Sequence, residues 1–342
     1  RQRQMCIRDS NMKISLSILS TLTLMFISCS ASSVEPDEDY NISDRPVSPK
    51  EMHQMMGRGF DVQWAEFSKK IELYGKDEVI AIKQKGFNTA RIRTKLPADE
   101  KLFQILDRCI KDCLDNGIIP VLAYNAIDYE LNPNKITLAE CAEWWKKMAE
   151  HYASFSHRLI FNLNIEWSDV AGKDFDAINL YNQTIADVIR LSNPTRILIL
   201  SPAKLSNPTY LDQMVIPISC GDYVMAEWHF YAAGPSKDPN SKKYWLTGTE
   251  KEKQKIRDII SLGIEWQRRT GIHTWVGAWM PGNYNKGDDY TVEEQCVFAS
   301  FVKSELEKYN IPWAVNSLDK FYDIYNNCWN DDMMPLIDVL AK

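Results

Sequence analysis

Residues 102–124, LFQILDRCIKDCLDNGIIPVLAY, contain the unit that decides the fold. Apolar residues recur every three or four positions from Leu102 to Asn116, a spacing that is typical of an amphipathic helix. Gly117 ends this helix, and the apolar run Ile118–Tyr124 predicts a buried strand. The unit is therefore a helix that leads directly into a strand.

The same alternation of strand and helix extends to both sides of this unit. The predicted strands are residues 55–62, 87–93, 118–124, 159–166, 196–201, 223–231, 273–279 and 312–316, and the predicted helices are 77–85, 102–116, 138–155, 175–191, 250–270, 292–308 and 333–340. Eight strands with helices between them predict a parallel sheet closed into a single (β/α)8 TIM barrel of the α/β class. No GxGxxG motif follows the first strand, which argues against a dinucleotide-binding fold.

The N-terminal residues carry export signals rather than barrel structure. Residues 1–11 resemble a translated sequencing adapter, so translation is expected to begin at Met12. Lys13 and the uncharged stretch Ile14–Ser28 predict a signal peptide, because that stretch is too short to span a bilayer as a helix. Cys29 is the expected lipid attachment site, so residues 12–29 are interpreted as a lipoprotein signal peptide. An ordinary signal peptide with a chance cysteine is the alternative.

The rest of the chain divides into two parts. Residues 30–50 are rich in Ser, Asp, Glu and Pro and predict a flexible tether, and residues 51–342 form the predicted barrel domain. The expected location is the bacterial cell envelope, at the outer membrane or cell surface, with membrane contact only through the lipid.

Composition limits the partners. The chain of 342 residues has a formal net charge of −6, which argues against nucleic-acid binding. No CxxC or His/Cys ligand spacing occurs, so no metal and no cofactor is expected. Cys109 and Cys113, four residues apart on one helix, are interpreted as core residues rather than a disulfide. The expected assembly is a monomer.

Polar residues lie where the fourth predicted strand ends. Asn162, Asn164 and Glu166 alternate along FNLNIEW and should share one face. Three polar groups facing a barrel interior are costly unless they line a site, and catalysis in such barrels occurs at the carboxyl ends of strands. Glu166 is therefore the first catalytic candidate and Asn164 a substrate-binding one.

Two other strands supply candidates by the same alternation. Glu227, His229 and Tyr231 share a face of the sixth strand and are predicted catalytic residues. Arg91 and Arg93 share a face of the second strand, and two inward guanidinium groups need anionic partners from the protein or from a substrate.

These segments together resemble glycoside hydrolase family 5 and its wider barrel clan, from about residue 56 to residue 316. The segments that carry the resemblance are MGRGFDVQW, GFNTARIR, FNLNIEW, EWHFY and WVGAW. The resemblance implies that Arg91 is the family's arginine, that Glu166 is its acid/base, and that His229 and Tyr231 form its HxY pair. It also implies a polysaccharide or oligosaccharide substrate.

The chain departs from the family at several positions. Ala278 stands where the family has its nucleophilic Glu, and Ile165 replaces the Asn before the acid/base. Tyr124 and Asn125 replace the paired His after the third strand and are interpreted as substrate-binding. Arg93 replaces the Pro of RIP, and Asn316 stands where the eighth strand carries an aromatic residue. A retaining glycosidase needs two carboxylates, so double displacement is not expected here.

Three functions remain open. The first is hydrolysis with Glu166 as acid and Glu227 as base for water. The second is a polysaccharide lyase on uronate-containing glycans, with Arg91 and Arg93 neutralising the sugar acid and His229 and Tyr231 moving protons. The third is a non-catalytic barrel that binds glycans on aromatic residues placed at the cleft, namely Trp167, Trp228 and Trp279.

Overall fold

The computed structural model describes residues 45–230, 235–284 and 290–342. Eight parallel strands close into a barrel in sequential order, which confirms the predicted (β/α)8 fold. The strands are β1 (Arg58–Val62), β2 (Thr89–Thr94), β3 (Ile119–Tyr124), β4 (Ile160–Asn162), β5 (Leu198–Leu200), β6 (Val224–His229), β7 (Thr274–Trp279) and β8 (Trp313–Val315). A short antiparallel pair, β9 (Tyr322–Asp323) and β10 (Cys328–Trp329), follows the barrel.

Helices surround the barrel, and the longer ones begin at a residue whose side chain caps the first turn. They are α1 (Pro49–Met56), α2 (Ser68–Ile71), α3 (Lys76–Gln84), α4 (Glu100–Asp115), α5 (Ile127–Leu131), α6 (Lys135–His151), α7 (Phe175–Arg190), α8 (Ala203–Ser206), α9 (Glu250–Thr270), α10 (Val292–Lys308) and α11 (Met334–Ala341). Thr249 and Thr291 each accept a hydrogen bond from the backbone N–H three residues later, so α9 and α10 begin with capping boxes. Gly271, with φ 75°, ends α9 in the left-handed conformation.

Helix α1 differs from the sequence prediction, which placed a strand at residues 55–62 and a tether up to residue 50. Ser48 and Glu51 form a capping box, and Pro49 occupies the first turn, where its missing N–H costs nothing. Gly57, with φ 51°, then separates the helix from β1. Val47 is buried as well, so the folded domain includes residues that the sequence assigned to the tether.

Two apolar clusters hold the domain together. The larger lies between the strands and the surrounding helices and contains Cys109 and Cys113, which are buried and unpaired. The smaller fills the end of the barrel where the strands begin, and Met52 and Met56 of α1 pack into it. No helix in the described ranges is both long enough and apolar enough to cross a bilayer.

The interior of the barrel changes from apolar, where the strands begin, to polar and charged toward their carboxyl ends. On β6, Met225 belongs to the apolar cluster, whereas Glu227 and His229 lie further toward the carboxyl end and are also buried. Alternate residues of a strand point to the same side, so these three side chains form successive layers inside the barrel. The last layer forms the open end of the barrel, which we call the mouth.

Candidate active site

Glu166 is the carboxylate that reaches the mouth from the segment after β4. About a third of its side chain is exposed (31%), and its Oε2 lies 3.2 Å from Nδ1 of His229, the last residue of β6. His229 itself is buried, and its Nε2 lies 3.4 Å from Oε2 of Glu227. The imidazole therefore stands between two carboxylates, one at the surface of the mouth and one beneath it.

This arrangement shifts the pKa of His229 and the pKa of Glu166 in opposite directions. Burial disfavours the charged form of His229, but the charge of Glu227 and the hydrogen bond to Glu166 outweigh this effect and raise the pKa of the imidazole. Burial would also raise the pKa of Glu166, yet the hydrogen bond and charge of His229, with Arg91 and Arg93, lower it. Both shifts favour the ion pair in which the proton that the two groups share lies on His229 and Glu166 is a carboxylate.

A closed ionic layer lies beneath this pair. Arg91 donates to both carboxylate oxygens of Asp61, at 2.7 and 2.6 Å, and its Nη1 donates to Glu227 at 2.8 Å. Glu227 also accepts hydrogen bonds from Ser201 and, at 3.3 Å, from Asn162. The charges of Asp61 and Glu227 raise the pKa of Arg91 against the opposing effect of burial.

The two predicted roles in this layer need correction. Glu227 has no exposed surface and Arg91 is 1% exposed, because each is enclosed by the other and by neighbouring side chains. In this position Glu227 cannot contact a sugar or an attacking water, and Arg91 cannot contact a substrate. Both instead support His229 from below.

Strand β7 carries Ala278, which the sequence resemblance predicts to stand in place of a nucleophilic Glu. Ala278 is the register partner of His229, so the two residues face the same side of the sheet at the same level. Gly277 forms a bulge beside them, and a Cβ there would overlap Glu227 Oε2 and lie 2.9 Å from His229 Nε2. The missing side chain at position 277 thus makes room for the carboxylate that comes from β6.

Asn164 holds the backbone around Glu166 rather than a substrate, which corrects the sequence prediction. It is 1% exposed, and its amide donates to Glu130 at 2.9 Å and to the Glu166 carbonyl at 3.0 Å. Its Oδ1 accepts from the Ala126 N–H at 2.9 Å. Strand β4 ends at Asn162, so the alternation used to predict the shared face does not continue to residue 164.

Glu130, on α5, is a residue that sequence reasoning missed. Besides Asn164, its carboxylate binds Ser168 through the backbone N–H, at 3.1 Å, and through the hydroxyl. Burial raises its pKa, although the hydrogen bonds from Ser168 and Asn164 act in the opposite direction. Glu130 therefore fixes the segment on both sides of Glu166. Only its position shortly after β3 could have drawn attention to it.

Tyr124 and Asn125 lie at the edge of the mouth, toward the helices. The Tyr124 ring stacks on Trp144 of α6 with 4.0 Å between ring centroids, and burial raises the pKa of its hydroxyl. Asn125 is partly exposed, and its backbone N–H donates to the Thr94 carbonyl at 2.9 Å. Tyr124 lines a groove beside α6, whereas Arg93 remains at the mouth and donates to Glu66 at 2.9 Å.

The three tryptophans expected at the cleft lie in the core instead, which also corrects the sequence prediction. Trp167 packs edge-on against Tyr181 of α7, and Trp279 packs against Trp313, with ring centroids 4.9 and 5.5 Å apart. Trp228 lies against Gly263 of α9. Their side chains point toward the helices, so no glycan reaches them. Tyr231 lies outside the described residues.

The closed (β/α)8 barrel, with a partly exposed carboxylate after its fourth strand, places the chain in the class of TIM barrels, whose active sites lie at the carboxyl ends of the strands. The comparison with known families assigns the particular one. Residues 55–321 match the cellulase family, glycosyl hydrolase family 5. The chain therefore belongs to glycosyl hydrolase family 5, as its segments had indicated.

Individual relatives are distant. Endoglucanase H of Acetivibrio thermocellus is 20% identical over 259 residues, which are 69% of this chain and 27% of that protein. The chain thus spans about a quarter of the length of this relative. Among solved structures, Cel5A of Thermotoga maritima aligns with TM-score 0.72 at 19% identity, covering 86% of this chain and 100% of that one. The cellulose synthase subunit Z of Clostridioides difficile aligns with TM-score 0.70 at 19% identity, covering 84% and 100%.

Proposed function

We propose that this chain hydrolyses glycosidic bonds of a polysaccharide at the mouth of the barrel, with Glu166 as general acid. The observation that carries the proposal is the position of Glu166: it is partly exposed at the mouth and hydrogen-bonded to His229. Relatives support a carbohydrate substrate, since structures of Thermotoga maritima Cel5A are described in complex with mannotriose and with cellobiose.

The proposed proton path runs from His229 to Glu166. A sugar that covers the exposed third of the Glu166 side chain removes water from it, which disfavours the carboxylate and raises its pKa. The shared proton then moves from the imidazole to Glu166, which donates it to the glycosidic oxygen as the bond from that oxygen to the anomeric carbon breaks.

Water completes the reaction in this scheme. Ala278 offers no carboxylate that could attack the sugar, so no covalent glycosyl–enzyme forms. The oxygen of a water molecule bonds to the anomeric carbon, and the proton that the water loses passes to the solvent. One displacement inverts the configuration at the anomeric carbon, and a proton from the solvent restores the pair of Glu166 and His229.

The test is Glu166→Gln, which removes the proton donor and keeps the shape of the side chain. We expect release of reducing ends to fall by about 10²- to 10⁴-fold, with binding of the polysaccharide retained. Glu150→Gln, near the end of α6, where the side chain is exposed and lies outside the groove that Tyr124 lines, is the matched control and should keep full activity. Proton NMR of the first product should show inversion. Ultraviolet absorbance of an unsaturated product would instead identify a uronate lyase.

A second candidate function is glycan binding without cleavage. It is favoured by Ala278 at the level of His229 and by the closed layer around Glu227, because neither provides a base for water. In that case the wild-type chain releases no reducing ends from any polysaccharide, and Glu166→Gln changes affinity at most.

We also propose that the protein is exported and held at the cell envelope by a lipid on Cys29. The support is the uncharged stretch Ile14–Ser28 directly before that cysteine. All these residues lie outside the described ranges. Replacing Cys29 with Ser should abolish incorporation of labelled fatty acid and release the protein from the membrane fraction. An unchanged distribution would contradict the anchor.

A further inference from the structure

A second pocket lies at the mouth, on the side formed by β1, β2, β7 and β8. Its volume is about 210 Å³, and its lining includes Gln63, Arg93, Tyr284, Asn316, Asp319 and Lys320. Small-molecule sites that hold a drug-sized ligand occupy about 300–1,000 Å³, so this pocket accommodates roughly one sugar ring. We call it the β8 pocket.

Two cations face this pocket. Arg93 is 14% exposed; its Nη2 lies 2.9 Å from Glu66 and its Nη1 lies 3.8 Å from Asp61, while its buried Nε has no hydrogen-bond partner among the described residues. Lys320 is exposed, and no carboxylate of the described residues lies within ion-pair distance of it. The nearest acidic neighbour in the lining, Asp319, accepts a hydrogen bond from Ser317.

The remaining polar groups suit hydroxyls. The side-chain amides of Gln63 and Asn316 are partly exposed in the β8 pocket, and neither has a side-chain partner within the described part of the chain. An amide offers both donors and an acceptor, and neighbouring sugar hydroxyls need both. The pocket therefore combines groups that bind hydroxyls with cations that bind an anion.

We propose that the β8 pocket binds a sugar ring with an anionic substituent, a carboxylate or a sulfate, within the polysaccharide chain. This inference rests on the proposed function, because it assigns the class of substrate for the same mouth. Arg93 and Lys320 supply the charge, and Gln63 and Asn316 orient the ring through its hydroxyls.

The position of the pocket relative to Glu166 supports this assignment. Arg93, near the carboxyl end of β2, and Asn316, directly after β8, both line the β8 pocket, so the pocket opens at the same end of the barrel as Glu166, whose pKa the charge of Arg93 helps to lower. The formal net charge of the chain is −6, which disfavours general attraction of polyanions. A preference for acidic glycans must therefore come from local cations such as these.

The test measures binding in the full-length Glu166→Gln background, where no turnover disturbs titration calorimetry. The probes are polygalacturonate and alginate as carboxylated chains, dextran sulfate as a sulfated chain, and hydroxyethyl cellulose and glucomannan as neutral chains. Lys320→Gln should weaken binding of the charged chains about fivefold and leave neutral chains unchanged, as loss of one exposed ionic contact predicts. Arg93→Gln should weaken it further.

The control is Lys50→Gln, which removes an exposed lysine at the other end of the barrel. A response to carboxylated or to sulfated chains identifies the substituent. The inference is overturned if wild-type affinity is equal for neutral and charged chains, if no probe binds, or if Lys320→Gln and Lys50→Gln behave alike. Should Glu166→Gln nevertheless abolish cleavage of neutral glycans, the proposed hydrolysis stands and only the acidic substrate class fails.

Discussion

The two ends of the barrel use the same strands in opposite ways. Toward the mouth, the interior holds Asp61, Arg91 and Glu227 as a buried ionic layer, with Glu166 and His229 above it. Toward the other end, the interior is apolar and α1 covers it, and two histidines at this end, His53 and His273, have ring centroids 4.6 Å apart. The difference teaches that one end is organised to hold charge and the other to exclude it.

The largest effect on stability is expected from a substitution that breaks the ionic layer. Arg91→Met leaves Asp61 and Glu227 as buried carboxylates without their cation, and we expect the free energy of unfolding to fall by about 3–5 kcal/mol. Urea denaturation measures it. Arg269→Met, which removes an exposed partner of Asp212, should change it by less than about 1 kcal/mol. Equal effects of the two variants would mean that the mouth is not held by charge.

The next effect is the loss of stability at low pH that His53 causes at the apolar end of the barrel. Burial, with a smaller effect of His273, lowers the pKa of His53 from 6.5 to about 4. The unfolded chain therefore binds more protons between these values, and stability falls as the pH drops through that window, by up to about 3 kcal/mol at one pKa unit per 1.36 kcal/mol. His53→Leu should remove this part of the pH dependence in denaturation series at pH 7, 5.5 and 4.

Glu166, at the mouth, affects the free energy of unfolding in a lower pH range than His53 does. Because the pKa of Glu166 is lowered, its contribution to stability is present above the ordinary pKa of a Glu and is lost only as the pH falls through the lower folded value. Glu166→Gln should therefore leave unchanged the loss of stability that occurs between about pH 6.5 and 4.5. Parallel curves for wild type and His53→Leu would place the acid sensitivity somewhere other than the apolar end.

The smallest effect tests the cover of the apolar end. Ser48→Ala removes the side chain that accepts the Glu51 N–H at the start of α1, and a lost N-cap costs about 1 kcal/mol. Ser304→Ala, an exposed serine within α10, should stay within about 0.5 kcal/mol of wild type in the same thermal unfolding experiment. If Ser48→Ala changes stability as little as Ser304→Ala does, then α1 covers the barrel without stabilising it.

Much of the fold follows from the sequence, because each strand is an apolar run bounded by a helix stop. The predicted strands lie within two residues of the observed ones at both ends for β2, β3, β5, β6, β7 and β8. Helix α1 was missed since its Met residues join the apolar run of β1, and only the positive φ of Gly57 separates them.

The site was less predictable than the fold. Period-two alternation correctly placed Glu227 and His229 on one face, but it cannot reveal that Glu227 is sealed by Arg91. The same rule failed for Asn164, which lies after β4 has ended. The tryptophans were misplaced because large apolar residues suit a core at least as well as a sugar site.

The bulge at Gly277 has a consequence for how such sequences diverge. Its α-carbon borders the volume that the Glu227 carboxylate fills, so neither position can change size without the other. Homologues that carry a side chain at 277 should therefore have a shorter residue at 227, and alignments can reveal this as paired substitution. A homologue with an acidic residue at 278 would meet the same constraint, since carboxylates from two neighbouring strands would compete for one guanidinium.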